Sequence, residues 1–215
     1  MFASFFYQLD EIIGALQNRS MDSFDNKNST MVYCVGDSML NNAIYVEANQ
    51  SVLFHLRNES QYKFVMLARD NARISDAFHQ IDRIPEKEQE KEEASEMVIV
   101  LSVGGNDLLA EDGDPRETFQ HWLELVKSIR IRFGRSVRIL VLGLYFPKSK
   151  QRFFDRIRQW NAWLLQNVDT SGAYNVIETS NVITETKDIC YKIEPSEQGG
   201  AKIAELIKSN LAYDV

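Results

Sequence analysis

The sequence predicts an α/β domain built on a mostly parallel sheet with helices on both faces. Three observations carry this prediction. Five short apolar runs rich in Val and Ile recur along the chain. Helix-length segments with apolar residues three and four apart lie between them, which is the period of a helix with one buried face. The chain has 215 residues, 44% hydrophobic and 26% charged, which is the size and balance of one domain with a substantial core. Strands alternating with helices pair in parallel, because each return to the sheet needs a crossover.

Residues 1–30 read as an N-terminal extension that precedes or packs on the domain, ending in the polar stretch 20–30. The domain proper then spans 31–215. Its first strand is "MVYCVG" (31–36), stopped by Gly36-Asp37-Ser38, after which a helix is expected. "KFVMLA" (63–68), "MVIVLSV" (97–103), "VRILVLGL" (137–144) and "YNVIE" (174–178) read as the remaining strands. The helical segments are 117–133, 151–168 and 196–215. The Glu/Lys-rich stretch 85–96 reads as a solvated helix or loop before the third strand.

Bulk properties exclude several classes. A net charge of −7 and a pI near 5.1 argue against a protein that coats nucleic acid or anionic membrane by charge alone. No run reaches membrane-spanning length, and the apolar start lacks the basic flank and cleavage site of a signal peptide. Cys34 and Cys190 make neither a disulfide framework nor a metal cluster. A reducing intracellular compartment is therefore expected, and no metal or other cofactor.

Two strand ends carry candidate chemistry. In an open parallel sheet, ligands bind beyond the carboxyl ends of the strands. At the first such end, Ser38 is either a nucleophile or a helix cap. At the third, "VIVLSVGGNDLL" (98–109) ends in a glycine pair and Asn106-Asp107. Here Asn106 is either a donor to a developing oxyanion or part of an Asx turn.

The pair of motifs, Gly-Asp-Ser after the first strand and Gly-x-Asn-Asp after a central one, resembles blocks I and III of the SGNH (GDSL) hydrolase superfamily. The resemblance covers residues 31 to 212. It implies a flavodoxin-like, three-layer α/β/α sandwich with a five-stranded parallel sheet in the order 2-1-3-4-5. It also implies Ser38 as nucleophile and Asn106 as oxyanion donor, with Gly104 in the block III turn. Asn71 falls where block II has its glycine, and Asn is the non-glycine residue best suited to a left-handed backbone.

Block V departs from the family. "CYKIEPSEQGGAKIAELI" (190–207) keeps Pro195, Ser196, Gly199 and the amphipathic helix, but Glu194 stands at the histidine position and Tyr191 at the aspartate three residues earlier. A serine hydroxyl is a poor nucleophile until a neighbour accepts its proton, and an ordinary carboxylate is a much weaker base than imidazole. His55, His79 and His121 all lie outside this segment.

Residues 127–158 hold ten basic side chains and one acidic, a local charge of +9 in a chain of net −7. Within it, Lys148, Lys150, Arg152 and Arg156 alternate with aromatic residues beside the expected pocket, a composition suited to phosphate contacts and base stacking. The expected function is therefore a non-catalytic binding module for RNA, another anionic ligand or a protein partner. The alternative is an ester hydrolase using Ser38 with an unusual base, acting on a small ester or acyl ligand.

Overall fold

The computed structural model describes residues 30–58, 61–86 and 97–212. The N-terminal extension up to residue 29 and the Glu/Lys-rich stretch 87–96 lie outside the described residues. The strands are β1 (Thr30–Gly36), β2 (Tyr62–Met66), β3 (Met97–Ser102), β4 (Arg138–Leu142) and β5 (Asn175–Ile177). They form one parallel sheet in the order β2-β1-β3-β4-β5, as the resemblance implies.

The helices are α1 (Val52–Leu56), α2 (Ile74–Asp82), α3 (Gly105–Leu108), α4 (Pro115–Phe133), α5 (Phe154–Ser171) and α6 (Glu197–Ala212). α1 packs on α6, while α4 packs on both α2 and α5. The central strand β3 is buried at every position, which is why it reads as an unbroken apolar run. Trp122 of α4 and Trp160 of α5 are fully buried, and they meet edge to face with ring centroids 6.1 Å apart.

Three expectations are corrected. No helix follows Ser38; residues 37–41 make one turn, and the first helix begins at Val52. α4 begins two residues before the predicted 117, because Asp114 caps it through the amides of Arg116 (2.7 Å) and Glu117 (3.2 Å), and Pro115 supplies a preset first helical residue. α5 begins at Phe154 rather than 151, because Lys148–Phe153 form a 3-10 segment in which Lys150 has a non-helical backbone. A small antiparallel hairpin was not foreseen: β6 (Ile189–Cys190) turns through residues 191–193 into β7 (Glu194–Pro195).

The topology positions the site. From β1 the chain crosses outward to β2, then returns to β3 on the other side of β1. The two crossovers diverge at the carboxyl ends of β1 and β3 and leave a crevice there. Ser38 follows β1 and Asn106 follows β3, so the sheet order alone brings them together.

Candidate active site

The end of β1 is built around a residue that only glycine can replace. Gly36 has φ +139°, and a Cβ there would lie 1.7 Å from the Ser102 carbonyl oxygen on β3. The close approach lets the Asp37 amide donate to that carbonyl at 2.9 Å. Gln80 of α2 holds Gly36 from the other side: its Oε1 accepts from the Gly36 amide (2.7 Å), and its Nε2 donates to the Gly36 carbonyl (2.9 Å).

Asp37, rather than Ser38, organises the turn that follows. Its Oδ1 accepts from the Met39 amide at 3.0 Å and the Ser102 hydroxyl at 3.1 Å. Its carbonyl accepts from the amides of Leu40 and Asn41, both at 3.1 Å. With no helix following, there is nothing for Ser38 to cap, and the turn is closed by its neighbour. Burial pushes the Asp37 carboxyl up to about 7; its hydrogen bonds hold it down, and the nearby Glu194 and Asp107 carboxyls push it up.

Ser38 is buried and lines the same cavity as Glu194. Glu194 sits on β7 with 6% of its surface exposed. Burial raises its pKa above the ordinary value, the hydrogen-bonding interaction with Ser38 lowers it, and the Asp70 charge raises it further.

Three contacts fix the hairpin that carries Glu194. The Tyr145 hydroxyl donates to the Ile193 carbonyl. The Ser149 hydroxyl donates to the Lys192 carbonyl at 2.6 Å. Asn42, fully buried, donates to the Pro195 carbonyl at 3.1 Å and accepts from the Val52 amide at 2.9 Å, tying the loop after β1 to the hairpin. Tyr191 and Lys192 both have left-handed backbones (φ +43° and +78°), a strained turn held by these contacts.

The register of block V has a plain physical basis. Ser196 accepts from the Gly199 amide at 3.2 Å at the start of α6, and a Cβ at Gly199 would lie 2.0 Å from the Asp188 carbonyl oxygen. These contacts hold Ser196 and Gly199 in place independently of the residues at 191 and 194. Tyr191 is 72% exposed, with its ring 5.5 Å from that of Tyr45, and supplies no carboxylate. Asp188 does not substitute, since its carboxylate accepts from the Thr184 and Glu185 amides (3.1 and 2.9 Å) and from Lys202 at 2.9 Å.

Asn106 lies in the first turn of α3 and donates to the Ala72 carbonyl at 2.9 Å. An amide nitrogen has two N–H groups, so one remains for the cavity. Gly104 turns the chain into α3 with φ +105°, and a Cβ there would meet the Trp160 ring at 2.6 Å; its role is the turn. Asn71 does adopt the left-handed backbone, with φ +55°, but its side chain is exposed and it is not among the cavity-lining residues.

These residues surround a cavity of about 60 Å³. Its polar wall comprises Asp37, Ser38, Asn106 and Glu194, and its apolar wall includes Leu109, Leu144, Ile157 and Ile193. His55, His79 and His121, on α1, α2 and α4, do not line it. The basic segment is largely occupied elsewhere. Arg156 donates to the carbonyls of Leu108 (3.0 Å) and Ala110 (2.8 Å), and Lys148 donates to the Thr186 hydroxyl at 3.1 Å. Arg152 lies over the Phe153 ring and 3.9 Å from Glu111, while Lys150 is half-buried. Arg130 and Arg138 donate to backbone carbonyls on other elements, and Arg132 pairs with Asp82 at 3.0 Å.

Sequence reasoning missed Gln80, Asn42, Tyr145 and Asn161, the last of which clamps both backbone groups of Leu144 (2.8 and 2.7 Å). Their common signal is a polar side chain inside an otherwise apolar helix face or beside a motif, where burial demands a partner.

No protein-family model and no curated protein matches the chain. Solved structures do match. A member of the lipolytic GDSL family from Veillonella parvula superposes with TM-score 0.71 at 13% identity, covering 87% of this chain and 100% of that one. A putative platelet activating factor protein from Streptococcus pneumonia gives 0.67 at 13%, covering 98% and 96%. The acetyl xylan esterase AlAXEase gives 0.67 at 12%, covering 84% and 99%. At these identities the likeness is one of fold: the chain has the α/β architecture of the GDSL lipolytic hydrolases. No helix among the described residues is long and apolar enough to cross a membrane.

Proposed function

We propose that this chain is a ligand-binding module on the GDSL-hydrolase fold that does not hydrolyse esters. The observation carrying this reading is Glu194, a buried carboxyl facing Ser38 where the fold's enzymes have an imidazole. Ester hydrolysis places negative charge on an oxyanion beside the serine, and catalysis depends on donors aimed at that charge. Around Ser38 the nearest ionisable groups are instead the carboxyls of Glu194 and Asp37, whose charges oppose an oxyanion in a medium of low dielectric. Tyr191 provides nothing to orient a base. With Arg156 and Lys148 engaged in internal contacts, the ligand contacts are assigned to the cavity rather than to the basic segment.

One observation favours a second reading, a hydrolase with a Ser38–Glu194 dyad. Burial raises the Glu194 pKa toward the range in which a general base works best. Purified protein assayed with p-nitrophenyl acetate separates the two. The binding reading expects background rates that are the same in Ser38→Ala. Hydrolysis that Ser38→Ala abolishes, or labelling of Ser38 by a fluorophosphonate, would establish the dyad instead.

A further inference from the structure

The cavity contains a charge arrangement that neither reading uses. Glu194 is a carboxylate with four acceptor positions, and among the described residues its one side-chain hydrogen-bond partner is the Ser38 hydroxyl. The influences on its charge are burial, that hydroxyl and the Asp70 carboxylate, none of them a cation. Asp37, 4% exposed, shares the same wall and feels the Glu194 charge. A buried carboxylate without a counter-ion is costly, and two in one small cavity are costlier. Among the described residues no Lys, Arg or His lines the wall to offset this, and Lys148 and Arg156 are turned to other partners.

Besides the carboxyls, the wall includes the aliphatic side chains of Leu144, Ile157 and Ile193 and the residue Tyr145. This combination of an acidic end, an apolar wall and an aromatic ring is complementary to an organic ammonium group on a short apolar chain. A metal ion fits less well, because no group of three or more His, Cys, Asp or Glu side chains suited to one occurs among the described residues.

We propose that the cavity between Ser38, Asp37 and Glu194 binds a small organic cation, an alkylammonium whose charge pairs with the two buried carboxylates and whose chain lies on Leu144, Ile157 and Ile193. The assignment deepens the ligand-binding reading above and rests on it. The retained serine contributes a hydroxyl that can accept from the ammonium while it donates to Glu194. The titratable groups around the cavity are Asp37 after β1, Asp70 after β2, Asp107 on α3, Tyr145 after β4, Cys190 on β6 and Glu194 on β7. Because Asp37 takes up a proton near pH 7, binding should weaken as the pH falls through that value.

The test is calorimetric titration of the full chain at pH 8 with n-butylammonium, tetramethylammonium, n-butanol and n-butyrate. Either ammonium binding at least about tenfold more tightly than butanol, with butyrate excluded, is expected from a charge-assisted contact. Glu194→Gln, close in shape and uncharged, should lose roughly ten- to a hundredfold in that affinity. Preference for butylammonium over tetramethylammonium would identify a hydrogen-bonded primary amine, and the reverse a quaternary one. Equal binding of butanol and butylammonium, or tighter binding of butyrate, overturns the proposal on the native protein alone. Failure here with background esterase activity leaves the non-catalytic reading standing, whereas Ser38-dependent hydrolysis removes that reading whatever the titrations give.

Discussion

Ser38 and Glu194, 156 positions apart in the chain, line one cavity, and a side-chain hydrogen-bonding interaction from Ser38 lowers the Glu194 pKa. Asn42, which links the loop after β1 to the Pro195 carbonyl, and Tyr145, which holds the Ile193 carbonyl, fix the hairpin that carries Glu194.

Restoring the imidazole should restore hydrolysis. Glu194→His combined with Tyr191→Asp is expected to raise p-nitrophenyl acetate hydrolysis by orders of magnitude, since losing triad members costs roughly 10⁴- to 10⁶-fold in well-studied enzymes. Asp also suits the left-handed backbone at position 191 better than Tyr does. Adding Ser38→Ala should return the rate to background. A double variant that folds, judged by its thermal transition, yet stays at background would show that the oxyanion side is also lost.

Asp37 should make the fold less stable as pH rises. Its carboxyl ionises near 7 in the folded chain against an ordinary 3.8, so its neutral form is favoured by folding. The stability it confers is complete below about 3.8 and is lost as pH rises through about 7, a change of at most about 4 kcal/mol. Glu194 shifts in the same direction. Asp37→Asn keeps an oxygen for the Met39 amide but cannot ionise. Urea denaturation between pH 4 and 8 should show the variant gaining on the native protein as pH rises. Parallel stability curves would contradict the shift.

Gln80 should be worth more than an ordinary helix residue. It accepts from the Gly36 amide and donates to the Gly36 carbonyl, which also accepts from the Arg69 amide at 2.9 Å, so replacement by Leu leaves the buried amide without that partner. The expected loss is about 1–3 kcal/mol, the cost of one unsatisfied buried group. A fall below 1 kcal/mol in denaturant unfolding would mean that water or local rearrangement replaces the clamp.

The sheet and its order were legible because buried parallel strands leave continuous Val/Ile runs, and because Gly36 marks a strand end where the β3 backbone comes too close for a side chain. The reading of Glu194 at a histidine position rests on the neighbouring Ser196 and Gly199, whose places follow from local capping and packing. What those residues contact was decided only in three dimensions. Asp37, rather than Ser38, accepts the hydrogen bonds that close the turn after β1. Arg156, read as an anion contact, was used on the carbonyls at the end of α3. Gln80 and Asn42 acquired partners 44 and 153 residues away. Periodicity is written locally because each element buries its own face. The protonation of a carboxyl and the availability of a cation depend on which distant groups share its solvent-free space, and only the tertiary structure decides that.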